Sequence, residues 1–355
     1  MKRTAMTRRF FLSTTLVVAA TATLPTLIAG MSTSAMAQSN VLNLYTARHY
    51  SSDDALYAQF TAKTGIKVNV VSASDEPLLE RIRSEGAASP ADVILLVDAT
   101  RLWRSQQEGL FQPLKSAVLD KSIPADRRGG DTWVGLTTRE RVLIIDPTKV
   151  KPEQVSTYAS LADPSLKGLV CSRTASHPYM LSLIGSQLAK HGPEKTEAWM
   201  RGVIANLARP SKGGDTDQIR AVASGECGVA ISNSYYYARL MRSEKAEDKA
   251  VVARTKLIWP DQKGDGTHMN ISGGGIAKHA QNPANARAFL EFLASPEIQG
   301  QFAMANNERP IVAKVPYDNP ALTRLGPFKA DPMPVEKFAS QSRLAQQLVD
   351  KTGWR

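Results

Sequence analysis

Apolar residues along this chain alternate between two spacings. Val41-Leu42-Asn43-Leu44-Tyr45 is short and mostly apolar, as in a strand. From about Asp53 the spacing lengthens. Leu56 and Phe60 stand one helical turn apart, and Gly65 marks the C-terminal stop. Ile66, Val68 and Val70 then alternate as the next strand, and Pro77 opens a helix over Leu78, Leu79 and Ile82. Residues 91–98 are an almost unbroken apolar run ending in Asp98, as expected of a parallel strand covered on both faces. Strand and helix continue to alternate, which predicts an α/β architecture with open, mostly parallel sheets.

The segment 132–146 is too long for one ordinary strand. It is expected to be two β segments joined near Thr137 and Thr138, where the chain crosses between domains. A strand over Lys167 to Ser172, a helix from about Tyr179 and another around Trp199 to Leu207 follow. Gly213-Gly214 and Asp217 predict a turn and a capped start for a helix running through Ala223. Asn270 to Ala277 is expected as a return strand with flexible glycines. Helices are expected over Asn285 to Ala294, Pro296 to Ala305 and Ser342 to Asp350, with a proline-rich tail from Val315 before the last. No internal repeat or low-complexity block is present.

The N-terminus changes the picture of where the chain works. Thr7-Arg8-Arg9-Phe10-Phe11-Leu12 is a twin-arginine pattern, followed by an apolar run and by Ala35-Met36-Ala37, a small-residue cleavage site. Residues 1–37 are therefore expected to be an export signal for the twin-arginine machinery, with the mature chain starting at Gln38 in a bacterial periplasm. An uncleaved anchor is the alternative, but Ser13, Thr14, Thr21, Thr23 and Pro25 make the run a poor membrane span. The 44 basic and 33 acidic residues give a net charge of +11. The signal holds four of the basic residues and no acids, so the mature chain carries 40 against 33, or +7. These charges are scattered, and nucleic acid is not an expected partner. Cys171 and Cys227 are the only cysteines, and an oxidising compartment favours a disulfide over two buried thiols. A mature chain of this length exceeds one ordinary core, so two domains are expected.

Enzyme motifs are absent: there is no G-x-x-x-x-G-K-[ST], H-E-x-x-H, G-x-S-x-G or clean G-x-G-x-x-G, and the five histidines lack zinc-site spacing. Asp92 and Asp98 flank the buried run, where a carboxylate is more often a cap than a catalyst. Tyrosine is the informative residue. Gly228 to Ile231 is expected to be a buried strand, Ser232-Asn233-Ser234 a cap, and Tyr235-Tyr236-Tyr237 the first turn of a helix. A helix turns about 100° per residue, so three adjacent tyrosines cannot all enter one core. A tyrosine-lined domain interface would satisfy this pattern, as would phenolates gripping a hard cation. Arg48-His49-Tyr50 lies after the first strand, where open α/β sheets bind ligands, and Tyr179 follows another strand. Oxygen donors suit a hard trivalent ion, and only a strong positive charge such as that of Fe(III) would deprotonate several tyrosines together.

At these residues the chain resembles a known family, the periplasmic ferric-iron-binding proteins of ABC transporters, in the branch whose site is built mainly from tyrosines. The resemblance is carried by Tyr45 to Tyr50, Leu102-Trp103-Arg104, Gly135 to Arg139, Gly225-Glu226-Cys227, Asn233 to Tyr236 and Ser295 to Gln299, in order along nearly the whole mature chain. It implies a two-lobed binding protein of type II, each lobe a mostly parallel sheet flanked by helices and joined by crossover strands. Residues 38–137 with 270–315 would form the first lobe, and 138–269 with 316–355 the second. It implies Tyr50, Tyr179, Tyr235 and Tyr236 as Fe(III) ligands, His49 as a candidate fifth, and Tyr237 as packing. Arg139 and Arg48 are expected to neutralise the phenolates or to hold a synergistic anion such as carbonate. Two departures stand out: His177-Pro178 precedes Tyr179 where an asparagine is common, and Ser51-Ser52 follows Tyr50. The expected function is periplasmic capture of Fe(III) by a monomer that delivers it to an inner-membrane ABC permease with its ATPase, not catalysis. A thiamine- or polyamine-type solute, or an exported metal-dependent enzyme, is the alternative; a polyamine would need cleft carboxylates, which these corners lack.

Overall fold

The computed structural model describes residues 40–355 apart from His49, so the expected export signal lies outside the described residues. Among the described residues ten strands form a mixed sheet. They are β1 (Val41–Thr46), β2 (Lys67–Ser72), β3 (Val93–Leu96), β4 (Arg128–Gly129), β5 (Trp133–Ile145), β6 (Val170–Cys171), β7 (Val229–Asn233), β8 (Lys256–Ile258), β9 (Met269–Ile276) and β10 (Arg309–Pro310). The main order is β2-β1-β3-β9-β5-β7-β6, with β4, β8 and β10 also pairing β5. β1 runs parallel to β2 and β3, and β6 parallel to β7. β9 is antiparallel to β3, and β5 is antiparallel to both β9 and β7.

β5 organises the molecule. The expected pair of segments is one continuous thirteen-residue strand. Its register against β9 slips between Gly135 and Thr137, and the strand then exchanges β9 for β7 at Arg141. The crossing is a change of partner within one strand, because a bulge bends the strand without ending its ladder. On one side of it, a hydrophobic core gathers β1, β3 and the Trp133 end of β5 with Phe60, Phe289 and Phe302. On the other side, the Ile145 end of β5 packs with β6, β7 and the helix Pro178–Ala205. The tail serves both cores: Phe338 packs in the first, whereas Leu348 and Trp354 pack in the second.

The glycines of β9 are not flexible linkers. All three lie in a buried strand between β3 and β5, and a Cβ on Gly273 would collide with the Val134 carbonyl oxygen. On Gly274 it would strike the Leu95 side chain, and on Gly275 the Thr132 carbonyl oxygen. Missing side chains let three backbones approach.

The helix Asp53–Thr64 ends at Gly65 in the left-handed region, as expected. Asp98 caps the helix Ala99–Gln107, accepting from the Thr100 amide at 2.7 Å, so its role is structural. The two helices expected after residue 179 lie within Pro178–Ala205, parted by a kink at Gly192, whose backbone is non-helical, and Pro193. Short helices at Pro320–Arg324 and Val335–Ala339 interrupt the tail that looked merely proline-rich. Cys171 and Cys227 are disulfide-bonded, with Cα atoms 5.9 Å apart, where β6 meets the start of β7. Among the described residues no helix is long and apolar enough to cross a membrane.

Candidate metal centre

Four of the five candidate ligands come from three strand-to-helix corners. Tyr50 follows β1 and precedes the helix Asp53–Thr64. Tyr179 is in the first turn of Pro178–Ala205, and Tyr235 and Tyr236 are in the first turn of the helix Ser234–Arg242 directly after β7. The last three therefore sit at helix N-termini, where aligned peptide dipoles favour negative charge. The Tyr179 and Tyr235 hydroxyls are 3.3 Å apart, and the Tyr235 and Tyr236 rings lie 4.2 Å apart. Tyr50 donates to Glu308 at 3.3 Å. Tyr237 faces away, donating to the Thr255 carbonyl at 2.9 Å in an apolar cluster that Tyr236 also borders. His49 lies outside the described residues.

Burial pushes the Tyr235 hydroxyl well above its usual 10.0, and its neighbours Tyr179, Tyr50 and Tyr236 push the same way. Tyr179 and Tyr50 are raised for the same first reason; Glu308 adds to the rise at Tyr50, while Arg139 opposes it at both. Without a cation these groups are neutral at pH 7, and they become acceptors only when a compensating charge arrives.

Arg139 is fully buried on β5. Its guanidinium donates to the Val97 carbonyl at 2.7 Å and to Ser272, pairs with Glu308 at 3.1 Å, and lies 5.9 and 5.8 Å from the Tyr179 and Tyr235 ring centres. Arg48 is buried between Asp53 at 2.6 Å and Glu308 at 3.1 Å, with the Tyr50 ring 5.1 Å away. Both arginines thus flank the tyrosines, as separate arms of one ion network.

Glu308, its centre, carried no local sign of a role. It is fully buried and accepts from Arg48, Arg139, Tyr50 and, at 3.0 Å, Thr137. The two guanidiniums hold its carboxyl below the usual range despite burial. Its position follows from Asn307, which ends the helix Pro296–Asn306 in the left-handed conformation that asparagine tolerates, and from β10 pairing Thr137 and Thr138.

A second network lies behind Tyr179. Buried Asp215 accepts from Arg141, from Arg173 at 3.1 Å and from the Asn233 amide at 2.7 Å, which fixes the corner leading to Tyr235. Arg173 lies 5.3 Å from the Tyr179 ring centre. His177 is the cap of its helix: the Tyr179 amide donates to its Nδ1 at 3.2 Å. An accepting Nδ1 belongs to neutral imidazole, and burial, aided by Arg173, pulls its pKa down to about 3.

A cleft of about 450 Å³ opens beside Tyr179 and Tyr236, lined also by Arg173, His177 and Asp75. Asp75 corrects the expectation that the cleft lacks carboxylates. One of its oxygens is buried without a hydrogen-bond partner, and burial raises its pKa. Among the described residues no group of three or more His, Cys, Asp or Glu side chains could hold a metal. The cleft offers oxygen donors from tyrosine and one carboxylate, Asp75.

This architecture, with its cleft at strand ends, is that of a solute-binding protein. The chain belongs to the bacterial extracellular solute-binding proteins, whose family model matches residues 55–332. Within that class it is similar to iron uptake protein A2 of Synechocystis, at 44% identity over 99% of each chain. It also matches iron uptake protein A1 of that organism, at 44% identity over 88% of this chain and 87% of that one. A Trichodesmium protein (IdiA, FutA), solved in complex with iron and citrate ligands, superposes with a TM-score of 0.85 at 46% identity, covering 89% of this chain and all of that one.

Proposed function

We propose that this protein captures Fe(III) in the periplasm and delivers it to an ABC permease of the inner membrane, with Tyr50, Tyr179, Tyr235 and Tyr236 as ligands. The observation that carries the reading is the convergence of Tyr50, Tyr179 and Tyr235 on the buried Arg139–Glu308 pair, with the Tyr236 ring set against Tyr235. Fe(III) with four phenolates leaves one negative charge. Arg48 and Arg139 add two positive charges and Glu308 and Asp53 two negative ones, so the enclosed group carries a single negative charge, far less than four uncompensated phenolates would leave in a buried site. His49 or an anion such as carbonate completes the shell. The metal bridges two lobes, residues 38–137 with 270–315 and 138–269 with 316–355 apart from the helix Val335–Ala339, which packs in the first core, and the lobes close as a hinge. The chain reaches the periplasm by twin-arginine export and works as a monomer.

A polyamine or thiamine cargo is disfavoured because Arg139 and Arg173 place positive charge against the tyrosine rings. The names of the similar proteins also favour iron. The test is optical. Fe(III) added to the apo-protein should give a broad visible charge-transfer band, because phenolate donates into the half-filled ferric d shell. Tyr235→Phe and Tyr236→Phe should each weaken or shift it, and Tyr237→Phe should leave it unchanged. A colourless ferric complex, or equal losses at all three positions, defeats the assignment.

A further inference from the structure

A second cavity, larger than the tyrosine cleft, shares a wall with it. A space of about 660 Å³ lies among the helices Ala99–Gln107, Pro178–Ala205 and Ser342–Thr352, and Pro178 lines both it and the cleft. Arg101, Arg104 and Arg343 enter it against one carboxylate, Glu76. Arg101 and Arg104 share Glu76, and Arg104 also donates to Glu108, which stands outside the cavity. Arg343 has no hydrogen bond or ion pair among the described residues, and the Arg101 Nε is buried with no partner. Burial and the nearby Arg104 both lower the Arg101 pKa, although Asp75 resists this. Three like charges are therefore held around one space against a single carboxylate, with the Arg101 Nε left unfilled.

We propose that this cavity binds a small multivalent oxyanion, a di- or tricarboxylate or a polyphosphate, at a site separate from the tyrosine cleft. A guanidinium presents a planar fork of N–H donors that matches carboxylate and phosphate oxygens, and a multivalent anion can engage more than one fork. Ser176 adds a hydroxyl, and Trp103 supplies a flat apolar wall. The volume exceeds what one monatomic ion would fill. Because Trp103 packs on the first core and the C-terminal helix packs on the second, an anion held here contacts elements of both.

Citrate and pyrophosphate are titrated into the apo-protein at constant ionic strength, with heat and tryptophan fluorescence recorded. One of them should bind saturably and change the Trp103 emission. Tighter citrate binding identifies the polycarboxylate class, and tighter pyrophosphate binding the polyphosphate class. Arg104→Gln/Arg343→Gln should weaken the bound anion at least about tenfold. Its iron charge-transfer band should be unchanged, since neither residue touches the tyrosines. Trp103→Phe should keep the heat and lose the optical change. Arg220→Gln/Arg254→Gln, in a separate cavity, should bind as wild type does. Absence of saturable binding overturns the proposal. So does an unchanged affinity in Arg104→Gln/Arg343→Gln, or a loss in Tyr179→Phe/Tyr236→Phe instead. The readout needs no iron, so it fails or succeeds independently of the ferric reading.

Discussion

Glu308→Gln separates what stabilises this fold from what prepares the site. The carboxylate is fully buried, pairs with Arg48 and Arg139 at 3.1 Å each, and accepts from Thr137 and Tyr50. Glutamine keeps the volume and one carbonyl acceptor but removes the charge. Arg48 retains Asp53, whereas Arg139 is left with the Val97 carbonyl and the Ser272 hydroxyl, and is a buried cation without a counter-charge. Breaking a buried pair from one side costs about 3–5 kcal/mol. The retained hydrogen bonds place this variant near 3 kcal/mol, roughly a 5 °C fall in apo Tm for a chain of this size. The effect on iron should run the other way. Glu308 is one of the groups that raise the Tyr50 pKa, and Arg139 is one that lowers it. Removing the carboxylate makes the Tyr50 proton easier to lose and frees Arg139 for the phenolates. The pH of half-loading with Fe(III) should therefore move down, and iron should restore part of the lost Tm. Differential scanning calorimetry of apo and loaded protein, with a pH titration of the charge-transfer band, measures both. An apo Tm within a degree of wild type, or a half-loading pH that stays put or rises, would refute the reasoning.

Ferric binding should weaken steeply with acid, because the folded apo-protein holds Tyr50, Tyr179 and Tyr235 protonated and each must lose its proton to bind. Release of less than about one proton per Fe(III) taken from a weak chelate at neutral pH contradicts a shell of phenolates. The Cys171–Cys227 bridge spans 56 residues, so its reduction should lower stability by up to about 4 kcal/mol, read as the difference between oxidised and reduced protein in denaturant. His268 is buried and its pKa is pulled from 6.5 down to about 3, so the unfolded chain takes up a proton first and stability falls as pH drops below 6.5. His268→Gln should flatten that decline by about 1.4 kcal/mol per pH unit between pH 6 and 4, and an unchanged slope in urea unfolding would count against it.

The alternation of apolar residues was enough to determine the α/β class and most elements, because strand and helix periodicities are local. Gly65 ended its helix where expected, and the caps and strand ends that carry Tyr179, Tyr235 and Tyr236 could be placed from neighbours a few residues away. Elsewhere the deciding partner was distant in sequence. Whether 132–146 was one strand or two depended on β9 and β7, which exchange places along it, and no feature within the segment records that. The glycines of β9 looked flexible because their crowding comes from β3 and β5. Glu308 reaches Arg48 across 260 residues and Arg139 through a buried contact, so its position after an asparagine-capped helix had no visible purpose. Asp75 faces the cleft for the same kind of reason. The sequence alone determined which donors this protein possesses. Only the tertiary structure decided which charges surround them, since electrostatic energy depends on distance and burial and not on order along the chain.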